Sequence, residues 1–322
     1  MTECVIVILH SICPGKECMR SRLTFSEFEA YVREHILTDW CAGRTLDIHK
    51  IKKNNGVELT AMLIPEEGCC ITPTFYLEDF YEMYLQDGHL PELVDWIRER
   101  YRLAEESVAG VNVAKLLNYE AVKDRIIMKM VHYEKNEEML ESCPHIKVYD
   151  LAVTFRTLVS LDPSTVSSAL VTYQQLDQWG ISISDLLLTA EKNTRRLFPS
   201  EICTIEEFLE EHCDYPVYDI GDIFYVVTND HMINGATVML YDGLLEEFAE
   251  KIGGDFYILP SSIHEVLFVP DRGAVTAGEL IAIVHEANET VINESDILSD
   301  SVYYYKKKEH QLICCRQGCA VG

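Results

Sequence analysis

Asn54-Asn55-Gly56 separates two runs rich in β-forming residues, Thr45 to Ile51 and Val57 to Ile64. Asn-Gly supplies the positive φ angles that a tight hairpin turn demands, so the flanking runs are expected to pair antiparallel. Neighbouring strands of this kind recur later in the chain. Leu151 to Leu161 and Val166 to Tyr173 flank the turn Asp162-Pro163-Ser164, and Phe256 to Leu259 precedes Ile263 to Val269. Val302 to Tyr305 meets Gln311 to Cys315 around Lys306 to Glu309. Strands that follow one another directly, rather than alternating strictly with helices, point away from a doubly wound parallel sheet.

The helices announce themselves by their first turns. Thr24-x-x-Glu27, Thr204-x-x-Glu207 and Thr276-x-x-Glu279 are capping boxes, in which the Thr hydroxyl and the Glu carboxylate satisfy otherwise orphaned amide donors. The first opens a helix to about Leu37 with Phe25, Phe28, Val32 and Ile36 on one face; the second a short helix ending near Cys213; the third a helix with Leu280, Ile283, Val284 and Ala287 on one face. Pro73-Thr74 predicts a helix through Tyr84 closed by Asp87-Gly88, and Pro91 one through Glu105. Helices are also expected over Tyr173 to Trp179, from cap Ser182 over Ile183 to Leu197, and from cap Asp242 to Ile252, stopped by Gly253-Gly254. Arg125 to Tyr133 fits a strand or a short helix, and Ile223 to Thr228 and Ala236 to Tyr241 read as strands. The expected fold is α+β: antiparallel-rich mixed sheets flanked by amphipathic helices. Leu170 to Gly180 and Met239 to Gly253 share a strand, Tyr, helix, Gly rhythm, which reads either as an internal duplication or as a recurring turn. Three regions are expected: a disordered extension over 1–18, an N-terminal α+β region over 19–142, and a C-terminal one over 143–322.

Charge and cysteine usage narrow the function classes. Lys and Arg number 27 against 53 Asp and Glu, a net charge of −26 that repels a phosphate backbone unless a local basic patch compensates. The short basic clusters, Arg98/Arg100/Arg102, Arg195/Arg196 and Lys306 to Lys308, suit solvated helix faces or a hairpin tip. Twelve cysteines at irregular spacings, with no C-x-x-C, suit reduced thiols in a cytoplasm better than a disulfide framework or a zinc site. No apolar run approaches the roughly 18 residues that a spanning helix requires.

Several strings carry a resemblance. KNNGVELT (Lys53 to Thr60), ITPTFYLEDFYEMYLQDG (Ile71 to Gly88), EKNEEML (Glu134 to Leu140), LDQWGIS (Leu176 to Ser182), VVTNDHMINGATVML (Val226 to Leu240) and GGDFYILPSSIHEVLFVPD (Gly253 to Asp271) together resemble DUF5688, a family of unknown function widespread in gut clostridia. More distantly, the last third is similar to an uncharacterised Bacillus protein family. The resemblance implies a bacterial, cytoplasmic origin and a shared fold from about Met19 to His310, and it transfers no activity.

The densest chemistry lies at Pro260-Ser261-Ser262-Ile263-His264-Glu265. On a strand, Ser262 and His264 share a face and Glu265 takes the other, so the three form no relay among themselves. A serine nucleophile would also need an oxyanion hole, and no G-x-S-x-G elbow supplies one. Asn229, Asp230, His231 and Asn234-Gly235 offer oxygen and nitrogen ligands, although a tight connection uses such residues for its own backbone. Cys143-Pro144-His145 pairs a thiol with an imidazole in sequence. Glu206, Glu207, Glu210, Glu211 and Asp214 stack like charges on one short helix, and Phe75, Tyr76, Phe80, Tyr81 and Tyr84 are too widely spread for one helical stripe. No P-loop, dinucleotide fingerprint, H-E-x-x-H, EF-hand or kinase signature occurs.

These features favour a non-catalytic cytoplasmic binding or regulatory protein with a protein partner, without a cofactor, a metal, a nucleic acid or a membrane. One alternative is a small-molecule enzyme or hydrolase with Ser262 and His264 as catalytic candidates and Asn229, His231, Asn234 and Glu265 as ligand-binding candidates. The other is an acidic nucleic-acid mimic.

Overall fold

The computed structural model describes residues 22–36, 44–65, 72–108, 118–162, 165–212 and 224–315. The chain divides between Leu116 and Leu117 into two compact units, each treated below by itself. The expected extension over 1–18 lies outside the described residues.

In the first unit, α1 (Phe25–His35) starts at the Thr24 and Glu27 capping box. The strands β1 (Asp47–Lys52) and β2 (Glu58–Leu63) form the expected hairpin, with Asn55 at φ 61 and Gly56 at φ 73. A short strand β3 (Phe75–Tyr76) then pairs with β2 before α2 (Leu77–Asp87), where a helix from Pro73-Thr74 was expected. The reason is tertiary: the outer edge of β2 offers ladder partners, so Phe75 and Tyr76 settle opposite Met62 and Ala61. Gly88, at φ 75, ends α2, and α3 (Leu90–Val108) follows. Phe28, Val32, Met62, Leu77, Ile97 and Tyr101 form the core of this unit. The aromatic run divides by depth. Phe80 and Tyr84 are buried, while half-buried Tyr81 meets Phe25 and Phe28 with ring centroids 5.3 and 5.4 Å away.

The second unit carries two further antiparallel sheets. One joins β4 (Ile126–His132), β5 (His145–Val148), β6 (Leu151–Asp162) and β7 (Thr165–Leu170), with β6 at its centre. Because β4 pairs along β6 from Leu151 to Thr157, the expected boundary between residues 142 and 143 would cut a continuous sheet; the division between the units falls near residue 117 instead. The helices α4 (Tyr173–Trp179) and α5 (Ile183–Leu197) follow, each from a capping box. The six-stranded sheet runs β13-β12-β10-β11-β9-β8, with β8 (Ser200–Thr204), β9 (Tyr225–Asn229), β10 (Phe256–Leu259), β11 (Val266–Pro270), β12 (Val302–Lys306) and β13 (Gln311–Cys315). Between these strands lie α6 (Ile205–His212), α7 (Leu244–Ile252) and α8 (Ala277–Thr290). Every strand pairing among the described residues is antiparallel, and with the helices packed beside them the sheets give the expected antiparallel-rich α+β fold.

Two expected strands are corrected here. Gly235–Leu240 is a 3-10 helix, because β9 is already flanked by β8 and β11 and has no free edge for the expected strand Ala236 to Tyr241. The rhythm over Met239 to Gly253 therefore starts from a 3-10 turn, whereas Leu170 to Gly180 starts from β7; a strand-helix duplication does not describe the pair. In addition, β11 begins only at Val266, so residues 261–265 form a bent connection and not the first half of a strand.

Candidate functional site

Three stretches of main chain meet in the second unit, and the residues singled out from the sequence lie at this junction. They are the turn after β9, the connection from β10 to β11, and the stretch 292–298 that follows α8. The Ala236 amide donates to the Ile263 carbonyl at 3.2 Å, the Ile263 amide to Asp296 at 2.9 Å, and the Leu298 amide to Ser261 at 2.9 Å. Ser262 stands opposite Ile297 in an isolated antiparallel bridge. The Thr228 hydroxyl donates to the His264 carbonyl at 2.8 Å. Gly235 makes the approach possible: a Cβ there would sit 2.2 Å from Thr228 Oγ1 and 2.3 Å from the His264 oxygen.

The His264 imidazole touches both flanking stretches. Its Nδ1 accepts from the Asn234 amide at 3.3 Å, which places the proton of the neutral ring on Nε2. Nε2 lies 3.8 Å from the Asp296 carboxylate. Burial disfavours a charged ring, but Asp296 outweighs it with help from Glu265, and the imidazole is held above its usual pKa, with Lys129 of β4 opposing. Glu265 is completely buried.

The Ser262 hydroxyl is committed elsewhere. It accepts from the His264 backbone amide at 3.0 Å, a local serine turn, and Ser262 is only 2% exposed. The bent connection thus joins Ser262 to the backbone of His264, where a regular strand would have set the two side chains on one face. Asn229 folds the turn: its Oδ1 accepts from the amides of His231 at 3.0 Å and Ile233 at 3.4 Å, and its Nδ2 donates to the Ile233 carbonyl at 2.9 Å. His231 Nδ1 lies 2.6 Å from Asp230 Oδ1, and its ring meets Phe198 edge-on. Asn234, at φ 52, starts the 3-10 helix. The Asn229 and His231 side chains thus make these hydrogen bonds within the turn itself. Elsewhere, His145 Nδ1 engages the Cys143 carbonyl, not its thiol, and burial pushes that thiol up and away from the reactive thiolate.

A second polar cluster escaped the sequence reading. Asp150, in the tight turn between β5 and β6, accepts from Ser299 Oγ at 2.7 Å, from Ser301 Oγ at 2.8 Å and from the Tyr303 hydroxyl. Burial raises the carboxyl, but the three hydroxyl donors outweigh it and hold Asp150 below the usual carboxylate range. Burial together with Asp150 pushes the Tyr303 phenol far up. Asn288 Nδ2 extends the cluster to the Ser299 carbonyl and Asp300. Nearby, burial followed by Lys135 lowers His132, whose Nδ1 accepts from the Lys135 amide at 3.2 Å. No local motif could have exposed this cluster, since Asp150 and Ser299 lie 149 positions apart.

Among the described residues, no three or more His, Cys, Asp or Glu side chains are grouped to hold a metal ion, and no helix is long and apolar enough to cross a membrane. Fold and junction together define an α+β protein of antiparallel sheets whose polar side chains knit distant main-chain segments. The chain belongs to DUF5688, described as a family of unknown function, whose model matches residues 25–307. No curated protein and no solved structure matches it.

Proposed function

We propose that this chain is a non-catalytic binding or regulatory protein, acting in the cytoplasm through a protein partner. The observation that supports this reading most directly is the fate of the Ser262 hydroxyl: it accepts a backbone amide and is not paired with the imidazole that would activate it. The Asn229 side chain likewise serves the main chain of its own turn, and the Asn234 carbonyl accepts from the Thr237 amide and hydroxyl to start the 3-10 helix. A direct phosphate-backbone ligand is disfavoured by the net charge of −26 and by the local use of the basic clusters. Arg98 donates to the His35 and Ile36 carbonyls, Arg102 pairs with Glu99 and Glu106, and Arg195 and Arg196 bind the carbonyls of Asp242 and Asp124. Lys307 pairs with Glu250 at 3.0 Å.

The test is affinity capture of the tagged chain from lysate of its source cells, with mass spectrometry of co-purifying proteins and small molecules. A stoichiometric protein retained by both wild type and a Ser262→Ala/His264→Ala variant is the expected result. A small molecule held by wild type and lost from the variant, without a protein partner, would overturn it in favour of the enzyme reading.

A further inference from the structure

His264 is placed so that its two protonation states prefer different neighbours. In the neutral ring, Nδ1 is an acceptor for the Asn234 amide, and Nε2 carries its proton on the side of Asp296. A second proton must enter at Nδ1, where the Asn234 amide already points a donor; two donors then face each other and that hydrogen bond is lost. The charged ring gains from Asp296 what it forfeits at Asn234. The charged groups facing it are Asp296 from the 292–298 stretch, Glu265 from its own connection and Lys129 from β4: two acids against one base.

We infer that His264 is a proton-operated latch, which holds the turn Asn229–Asn234 when neutral and releases it in favour of the 292–298 stretch when charged. The hinge is prepared for such a release. Asn234 and Met232 both sit at positive φ, at 52° and 53°, conformations that contacts elsewhere must sustain. On the other side of the hinge, the bonds from Ala236 to Ile263 and from Thr228 to the His264 carbonyl are main-chain or hydroxyl contacts that do not titrate near neutrality, so the 3-10 helix stays anchored while the turn opens. The turn that would move carries Asp230 and His231, whose side chains lie 2.6 Å apart and are partly open to solvent. Since neighbouring acids hold the ring above its usual pKa, release sets in at a higher pH than that at which a free imidazole would take its proton. The inference goes beyond the partner-binding role and does not depend on it.

The test is amide hydrogen exchange of the full-length chain from about pH 8 to about pH 5.5, corrected for intrinsic rates, beside an NMR titration of the His264 ring. In wild type, the protection of the Asn234 amide should fall by about tenfold for each pH unit below the His264 pKa, while Ala236 keeps its protection. His264→Gln offers a side-chain acceptor that does not titrate and should make Asn234 protection independent of pH. Asp296→Asn removes the acid that favours the charged ring and should move the transition to lower pH. Protection that does not change with pH in wild type, an unchanged pH dependence in His264→Gln, or an unmoved midpoint in Asp296→Asn would each overturn the latch.

Discussion

Replacing Asp150 tests the polar cluster of the second unit most severely. Asp150 is 7% exposed, and its carboxylate accepts from three hydroxyls that belong to the stretch leading into β12 and to β12 itself. In Asp150→Ala, the Ser299 and Tyr303 hydroxyls, both on residues with no exposure, lose their acceptor; an orphaned buried polar group costs about 1–3 kcal/mol. Ser301 is half-buried and can turn to water, so two hydroxyls set the scale, and the loss should be about 4 kcal/mol. Asp150→Asn keeps one acceptor but loses the charge, which halves the strength of such bonds, and should cost about 2 kcal/mol. Because the folded-state pKa of Asp150 is depressed, the carboxylate's contribution is fully present above the unfolded value of about 3.9 and is lost as pH falls through the lower folded value. Wild type should therefore lose stability towards acid more steeply than Asp150→Asn. Urea denaturation followed by exchange at the β12 amides isolates the second unit from the first. A loss below about 1 kcal/mol in Asp150→Ala, or additive costs in the double variant Asp150→Ala/Tyr303→Phe, would refute the reasoning.

Two further substitutions probe the packing. Gly235→Ala drives a methyl group into Thr228 Oγ1 and the His264 carbonyl, and overpacking of this kind costs about 1–3 kcal/mol or more; a lowered melting temperature and a displaced Thr228 hydroxyl are expected, and an unchanged melt would show that the junction yields. In the first unit, the Tyr101 hydroxyl accepts from the Ile64 amide at 2.7 Å and donates to the Pro73 carbonyl at 3.0 Å. Tyr101→Phe should cost about 2 kcal/mol and speed exchange at Ile64, while exchange in the second unit stays as in wild type.

Local chemistry was legible wherever neighbours in sequence are also the partners. Thr24 with Glu27, Thr276 with Glu279 and Ser182 with Asp185 close their first helical turns three residues apart, and Asn55-Gly56 turns the hairpin within its own loop. Their partners are fixed by covalent distance, so composition and spacing suffice to find them. The α+β class followed from the same local signals, since runs joined by short turns pair antiparallel. Competition between segments for one place was not legible. Ala236 to Tyr241 has a strand's composition, yet Ser200–Thr204 holds the edge of β9 that it would need, and Phe75–Tyr76 is drawn from an expected helix onto β2. The polar residues divide along the same line. His264 and Asn234 stood out by residue type, but only the folded chain sets the Asn234 amide against Nδ1 and Asp296 against Nε2. Asp150 stood out not at all, because its partners are brought to it by the pairing of strands that begin and end far away in the chain. Short-range hydrogen bonds close over a few residues and leave their signature in the sequence, whereas long-range ones depend on which segments win the sheet edges and the interior, and that contest is decided by packing of the whole chain.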